Sequence, residues 1–122
     1  MKTILVVDDD EGIVEVVQIV LEGEGYAVKT SMNGSIFHNF DSPGPAPDLI
    51  LLDVLLSGED GRAICHRLKS SEKTKHIPVI MLSAHSDVNK LASTTGADDF
   101  LEKPFDVDVL IEMVQKYLPI YL

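Results

Sequence analysis

The stretch Leu49-Ile50-Leu51-Leu52-Asp53 decides the fold: an unbroken apolar run that ends on a carboxylate. A strand with one wet face alternates apolar and polar residues, so a continuous run of this length reads as a strand covered on both faces. Similar short runs rich in Val, Ile and Leu recur at Ile4 to Val7, Ala27 to Thr30, Val79 to Leu82 and Phe100 to Leu101. Between them, apolar residues fall at helical spacing: Ile13, Val16, Val17, Val20 and Leu21; then Ala63, Ile64 and Leu68; then Val107, Leu110, Ile111, Val114 and Leu118. Strand and helix alternate, which predicts an α/β class with a parallel sheet covered on both sides.

Punctuation sets the boundaries. Gly23 and Gly25 follow the first periodic segment, and Asp60 and Asp106 stand where helix N-caps belong. Two weaker helices are expected. One is a turn or two between Ser35 and Phe40, stopped by Pro43, Gly44, Pro45 and Pro47; the other is a short Ser/Thr-rich segment around Val88 to Thr94.

The 122 residues, 45% hydrophobic and 25% charged, predict a single domain spanning residues 1–122. Twenty acidic against ten basic side chains give a net charge of -10, which repels phosphate backbones and anionic lipid and argues against direct nucleic-acid binding by this domain. The apolar runs are far shorter than the roughly 20 residues of a membrane span. Met1-Lys2-Thr3 leads into one such run and then into aspartates, a poor match to a secretory signal. No membrane insertion and a cytoplasmic location are therefore expected. The lone Cys65 can form no internal disulfide and offers no zinc spacing; it reads as a small buried apolar residue.

In a parallel α/β sheet the carboxyl ends of the strands share one rim, where ligands bind. Asp8, Asp9 and Asp10 follow the first strand, Asp53 ends the third, Ser83 follows the fourth, and Lys103, then Pro104, follows the fifth. Clustered carboxylates resist ionisation unless a cation relieves them, and hard oxygen ligands without Cys or His favour Mg²⁺. With a divalent ion and Lys103 neutralising charge, the Asp53 carboxylate could attack a phosphoryl group, and Ser83 could bond one of its oxygens. Competing phosphate sites fit worse. Asp8-Asp9-Asp10-Glu11 would repel a phosphate that a Gly-rich loop would cradle, no P-loop is present, and Ser83 lacks a Gly-x-Ser-x-Gly surround. An Asp-nucleophile phosphohydrolase would need a cap for which the chain has no room.

Four stretches, in order, carry a family resemblance: Ile4-Leu5-Val6-Val7-Asp8-Asp9-Asp10; Pro47-Asp48-Leu49-Ile50-Leu51-Leu52-Asp53 with Gly58-Glu59-Asp60-Gly61; Pro78-Val79-Ile80-Met81-Leu82-Ser83-Ala84; and Gly96-Ala97-Asp98-Asp99-Phe100-Leu101-Glu102-Lys103-Pro104-Phe105. The chain resembles a receiver domain of bacterial two-component response regulators over essentially its whole length. The resemblance implies a flavodoxin-like, doubly wound five-stranded sheet of order 2-1-3-4-5. It implies Asp53 as phosphoacceptor, with Asp8, Asp9, Asp53 and the backbone carbonyl of Leu55 as Mg²⁺ ligands. It further implies Ser83 as the switch hydroxyl, Lys103 as the phosphate-pairing lysine before a cis bond to Pro104, and Phe100 as the aromatic that turns inward with Ser83. A sensor histidine kinase or histidine phosphotransfer protein would donate the phosphoryl group, and a downstream effector or attached output domain would read the shifted surface. Such a protein acts on its own Asp53 and is not a turnover enzyme on small substrates. The alternative is a degenerate receiver that only binds protein.

Departures and plainer readings stand beside this. Leu56-Ser57 replaces the family's frequent Met-Pro, and Glu112 and Met113 occupy the last helix where a dimerising, DNA-binding subgroup carries basic residues. Asp8 to Glu11 could simply cap the first helix. Taken alone, Ser83 is a strand-end hydroxyl, Lys103 a solvated charge and Phe100 a core residue, while His38, His66 and His76 are expected on the surface. His85 is expected beside the phosphoryl site, tuning hydrolysis together with Leu55.

Overall fold

Five of the apolar runs pair edge to edge. The computed structural model describes residues 1–39, 46–56, 58–84 and 95–120. Strands β1 (Thr3–Val7), β2 (Ala27–Ser31), β3 (Leu49–Asp53), β6 (Val79–Ser83) and β7 (Asp99–Glu102) form one sheet of order β2-β1-β3-β6-β7. Every neighbouring pair is parallel. Setting aside a two-stranded ladder, β4 (Leu55–Leu56) with β5 (Glu59–Asp60), this is the 2-1-3-4-5 order read from the resemblance.

Successive strand residues point to opposite faces, and the core divides accordingly. Ile4 and Val6, Leu49 and Leu51, Ile80 and Leu82, and Leu101 pack on one face against helices α1 (Glu11–Gly23) and α3 (Val107–Tyr117), through Val14, Val17, Leu21, Leu110 and Val114. Leu5 and Val7, Ile50 and Leu52, and Val79 and Met81 pack on the other against Ile64, Cys65 and Leu68 of helix α2 (Gly61–Ser70). All five residues of β3 are buried, as a strand covered on both sides requires. Cys65 is fully buried, and burial pushes its thiol up to about 11.

The helix starts follow side-chain chemistry. Asp10 accepts from the amides of Gly12 (3.0 Å) and Ile13 (3.3 Å) and caps α1. Asp60 accepts from Arg62 N at 2.9 Å and caps α2. Asp106 occupies the N-cap position of α3 but makes no side-chain cap bond, so its expected capping role is limited to backbone geometry. The weak segment after β2 forms a 3₁₀ turn over Gly34–Asn39. The segment expected as a helix around Val88 to Thr94, and Phe40, Pro43, Gly44, Pro45, Ser57 and His85, lie outside the described residues. Among the described residues no helix is long and apolar enough to cross a membrane.

One polar clamp holds α2 to the sheet at the end away from the carboxylates. Lys69 Nζ pairs with Asp98 Oδ2 at 2.8 Å and donates to Ile77 O at 3.0 Å, while the same Asp98 oxygen accepts from Val79 N at 2.8 Å. Asp98→Ala strips that amide and that ammonium of their shared acceptor. It should lower the unfolding free energy by about 1–3 kcal/mol, seen as a lower urea midpoint with an unchanged slope.

Candidate functional site

Strand parity brings the charged residues together. Asp8 continues the register of Ile4 and Val6, Asp53 that of Leu49 and Leu51, and Lys103 that of Leu101, so all three leave the sheet toward the α1 and α3 side at its carboxyl rim. Ser83 continues Val79 and Met81 on the other face, which Phe100 also joins. The rim is held in register by backbone bonds from Val54 N to Leu82 O (3.0 Å) and from Lys103 N to Ser83 O (2.7 Å).

Lys103 Nζ lies 2.7 Å from Asp8 Oδ2 and 3.4 Å from Asp53 Oδ2. Asp8 is fully buried, and its Oδ2 faces this ammonium. The other Asp8 oxygen accepts from Asp10 N at 2.9 Å. Asp10 itself faces the helix, so the acidic run divides its work: Asp10 caps, Asp8 enters the site, and exposed Asp9 joins the cluster from the solvent side. Carboxylate oxygens of Asp8, Asp9 and Asp53 lie within 4.8 Å of one another.

Burial, and then the charge of Asp8, push the Asp53 carboxyl up to about 6 against the opposing pull of Lys103. Burial is also the strongest single influence on Lys103 and acts against its charge. The Asp8 carboxylate and then Asp53 outweigh it and hold the ammonium above its ordinary value. Lys103 therefore does not offset the burial and the Asp8 repulsion that Asp53 feels. Crowded carboxylates, two of them buried, and an all-oxygen donor set are what a hard divalent cation such as Mg²⁺ would satisfy, so these residues fit one.

The remaining positions fall around this cluster. Leu55 donates its amide to Asp53 Oδ1 at 3.3 Å, and its side chain is exposed. Ser83 is buried at the end of β6, and Phe100 is half-buried on β7 opposite Met81. The Lys103–Pro104 bond is cis. His66 and His76 are exposed, away from any such grouping among the described residues. Sequence reasoning missed Gly61, which packs on the Asp53 backbone; only its place in the Gly58-Glu59-Asp60-Gly61 stretch pointed that way.

A doubly wound parallel sheet with carboxylates and a lysine converging at its carboxyl rim defines the receiver class of α/β proteins. The family model for the response regulator receiver domain matches residues 4–115, and the chain belongs to that family. It is 41% identical over 120 residues to the DNA-binding dual master transcriptional regulator RpaA of Synechocystis, covering 97% of this chain and 49% of RpaA. It is 41% identical over 112 residues to the response regulator PleD of Caulobacter vibrioides, covering 88% of this chain and 24% of PleD. The chain thus spans half or less of the length of these relatives. Among solved structures, TrrA of Thermotoga maritima in complex with Mg(2+)-BeF superposes with a TM-score of 0.83 at 35% identity, covering 97% of this chain and all of that one. The chain is accordingly a receiver domain of two-component signal transduction, homologous to phosphorylatable regulators.

The unfolded Asp53 carboxyl ionises near 3.8 and the folded one near 6, so between these values the metal-free fold keeps a proton that the unfolded chain has lost. The contribution of this group to stability therefore falls as pH rises from about 4 to 6 and stays low above that. Asp53→Asn should raise metal-free stability at pH 7 by about 1–3 kcal/mol and flatten that pH dependence, as measured by thermal unfolding in chelator. A variant less stable than the parent at pH 7 contradicts this.

Proposed function

We propose that this receiver accepts a phosphoryl group on Asp53 from a phosphohistidine of a sensor histidine kinase or a histidine phosphotransfer protein. The phosphorus–nitrogen bond breaks, its electron pair stays on the imidazole nitrogen, and a bond forms between phosphorus and an Asp53 carboxylate oxygen. The observation that carries the reading is the cluster of Asp8, Asp9 and Asp53 with Lys103 touching both buried members.

In this reading Asp8, Asp9, Asp53 and the Leu55 carbonyl hold one Mg²⁺ ion. When bound, it supplies positive charge to the oxygens of the transferring group. Lys103 pairs with a phosphoryl oxygen, and the Ser83 hydroxyl donates to another. The new group adds roughly -1.5 to -2 of charge if it ionises as other phosphates do. Ser83 and Lys103 follow that charge, Phe100 turns inward with Ser83, and the surface near β7 and α3 changes population. Hydrolysis resets the switch: water oxygen bonds to phosphorus, the acyl phosphate bond breaks, and the Asp53 carboxylate is restored as phosphate leaves. This chemistry acts on the protein's own aspartate, not on a small substrate in turnover.

The output is an effector or attached domain outside this stretch. The DNA-binding description of RpaA supports a transcriptional output; with a net charge of -10, this domain would leave nucleic-acid contact to another part. Cytoplasmic residence belongs to the same proposal.

Incubation with acetyl phosphate and Mg²⁺ should give an adduct of one phosphoryl mass by intact-protein mass spectrometry. The adduct should vanish with chelator and in Asp53→Asn, and should form more slowly or fail to switch the protein in Lys103→Met. An unmodified parent chain, or an adduct that persists in Asp53→Asn, would leave the degenerate protein-binding module as the better account.

A further inference from the structure

Helix α2 begins where no side chain fits. A Cβ built on Gly61 would overlap the Asp53 carbonyl oxygen and would lie 3.0 Å from the Asp53 carbonyl carbon and 2.9 Å from Val54 O. All of these are backbone atoms at or just past the end of β3, where Asp53 pairs with Leu82 and Val54 N donates to Leu82 O, so they cannot give way alone. The crowding at Gly34 is of another kind, because the nearest atoms there belong to the Glu59 and Ile64 side chains. Gly23 has nothing nearby.

The helix cannot easily retreat either. Ile64, Cys65 and Leu68 bury its inner face, the Asp60 side chain caps its first turn, and Gly61 N donates to Val54 O at 2.9 Å. The first turn of α2 is thus pressed directly on the peptide that carries the Asp53 side chain. The turn just beyond runs back through Leu55 N, bonded to Asp53 Oδ1.

We propose that Gly61 is a positioning residue for Asp53: the missing side chain lets α2 seat against the Asp53 carbonyl, and that seating aims the carboxylate at the metal and the incoming phosphoryl group. The inference rests on the reading of Asp53 as the acceptor. A displacement of the Asp53 peptide by a fraction of an ångström or more moves the nucleophile out of line, and misplacements of about 1 Å can cost on the order of 100-fold in rate.

Gly61→Ala, with Gly23→Ala as control, is to be compared with the parent chain at a temperature where circular dichroism shows each fully folded. The readouts are the metal-free Leu55 amide resonance, Mg²⁺ affinity by calorimetry, and the rate of adduct formation with acetyl phosphate. Gly61→Ala should shift the resonance, and should weaken affinity and slow the rate by roughly 10- to 100-fold; Gly23→Ala should match the parent. A folded Gly61→Ala with parental resonance, affinity and rate overturns the proposal, whatever its melting temperature. If Gly61→Ala does not fold, Asp60→Ala takes its place, since it loosens the first turn of α2 without a clash. Reduced Mg²⁺ affinity in that variant supports the proposal, and parental affinity and rate overturn it. A parent chain that forms no adduct, with Mg²⁺ affinity still reduced in Gly61→Ala, would reject Asp53 as acceptor while leaving its positioning by Gly61 intact.

Discussion

The rest of the molecule depends on a charge imbalance held in place by a rigid sheet. Asp8 and Asp53 are buried side by side with Lys103 between them, and Asp9 closes the cluster from outside. Free side chains would relieve such repulsion by swinging into water. Here Asp8 and Asp53 leave strands buried on both faces, so their Cα positions are fixed by Ile4 to Val7 and Leu49 to Leu52, and the repulsion is retained as a raised Asp53 pKa. The hydrophobic core therefore stabilises an arrangement that its electrostatics oppose, and the same electrostatics make the rim receptive to cations.

The two faces of the sheet divide the site. Residues in register with Leu51 and Leu101 bring the charges to the α1 and α3 side; residues in register with Met81 bring Ser83, and Phe100 joins the same α2-side core. Charge enters on one face and hydroxyl and ring lie on the other, with the Lys103 N to Ser83 O bond joining them at the rim. In the proposed function, a phosphoryl group on Asp53 would act across the sheet edge, not along one helix.

Much of this was legible because strands announce themselves by composition, and the residue at the carboxyl end of each strand marks the rim. Asp8, Asp53, Ser83 and Lys103 each stand at or just past the end of an apolar run, and the structure gathers Asp8, Asp53 and Lys103 into contact with Ser83 one backbone bond away. The β4–β5 ladder was not legible. Its four residues have no strand-like alternation and pair only because the chain must turn back between Asp53 and α2. The division of labour between Asp8 and Asp10 was also hidden, since neighbouring carboxylates look alike until the backbone aims one inward and the other at the helix amides. Asp106 shows the converse: a residue of the right type at the right position that makes no side-chain cap bond.

Those pairings also constrain how any signal could leave the rim. The Val54 N to Leu82 O and Lys103 N to Ser83 O bonds continue the ladders past the last strand residues, so the backbone on either side of β6 is fixed. Separating strands there would break buried hydrogen bonds, at a cost of roughly 1–3 kcal/mol for each group left unpaired. Side chains are the cheaper degrees of freedom. Lys103 can exchange its Asp8 contact for a new anion with little movement, because its ammonium already sits between two carboxylates. Such an exchange would leave Asp8 with less compensation unless a divalent cation balances it. In the proposed function, capture of the metal and response to the phosphoryl group would thus be linked through a single ammonium, and a change at Lys103 would alter both.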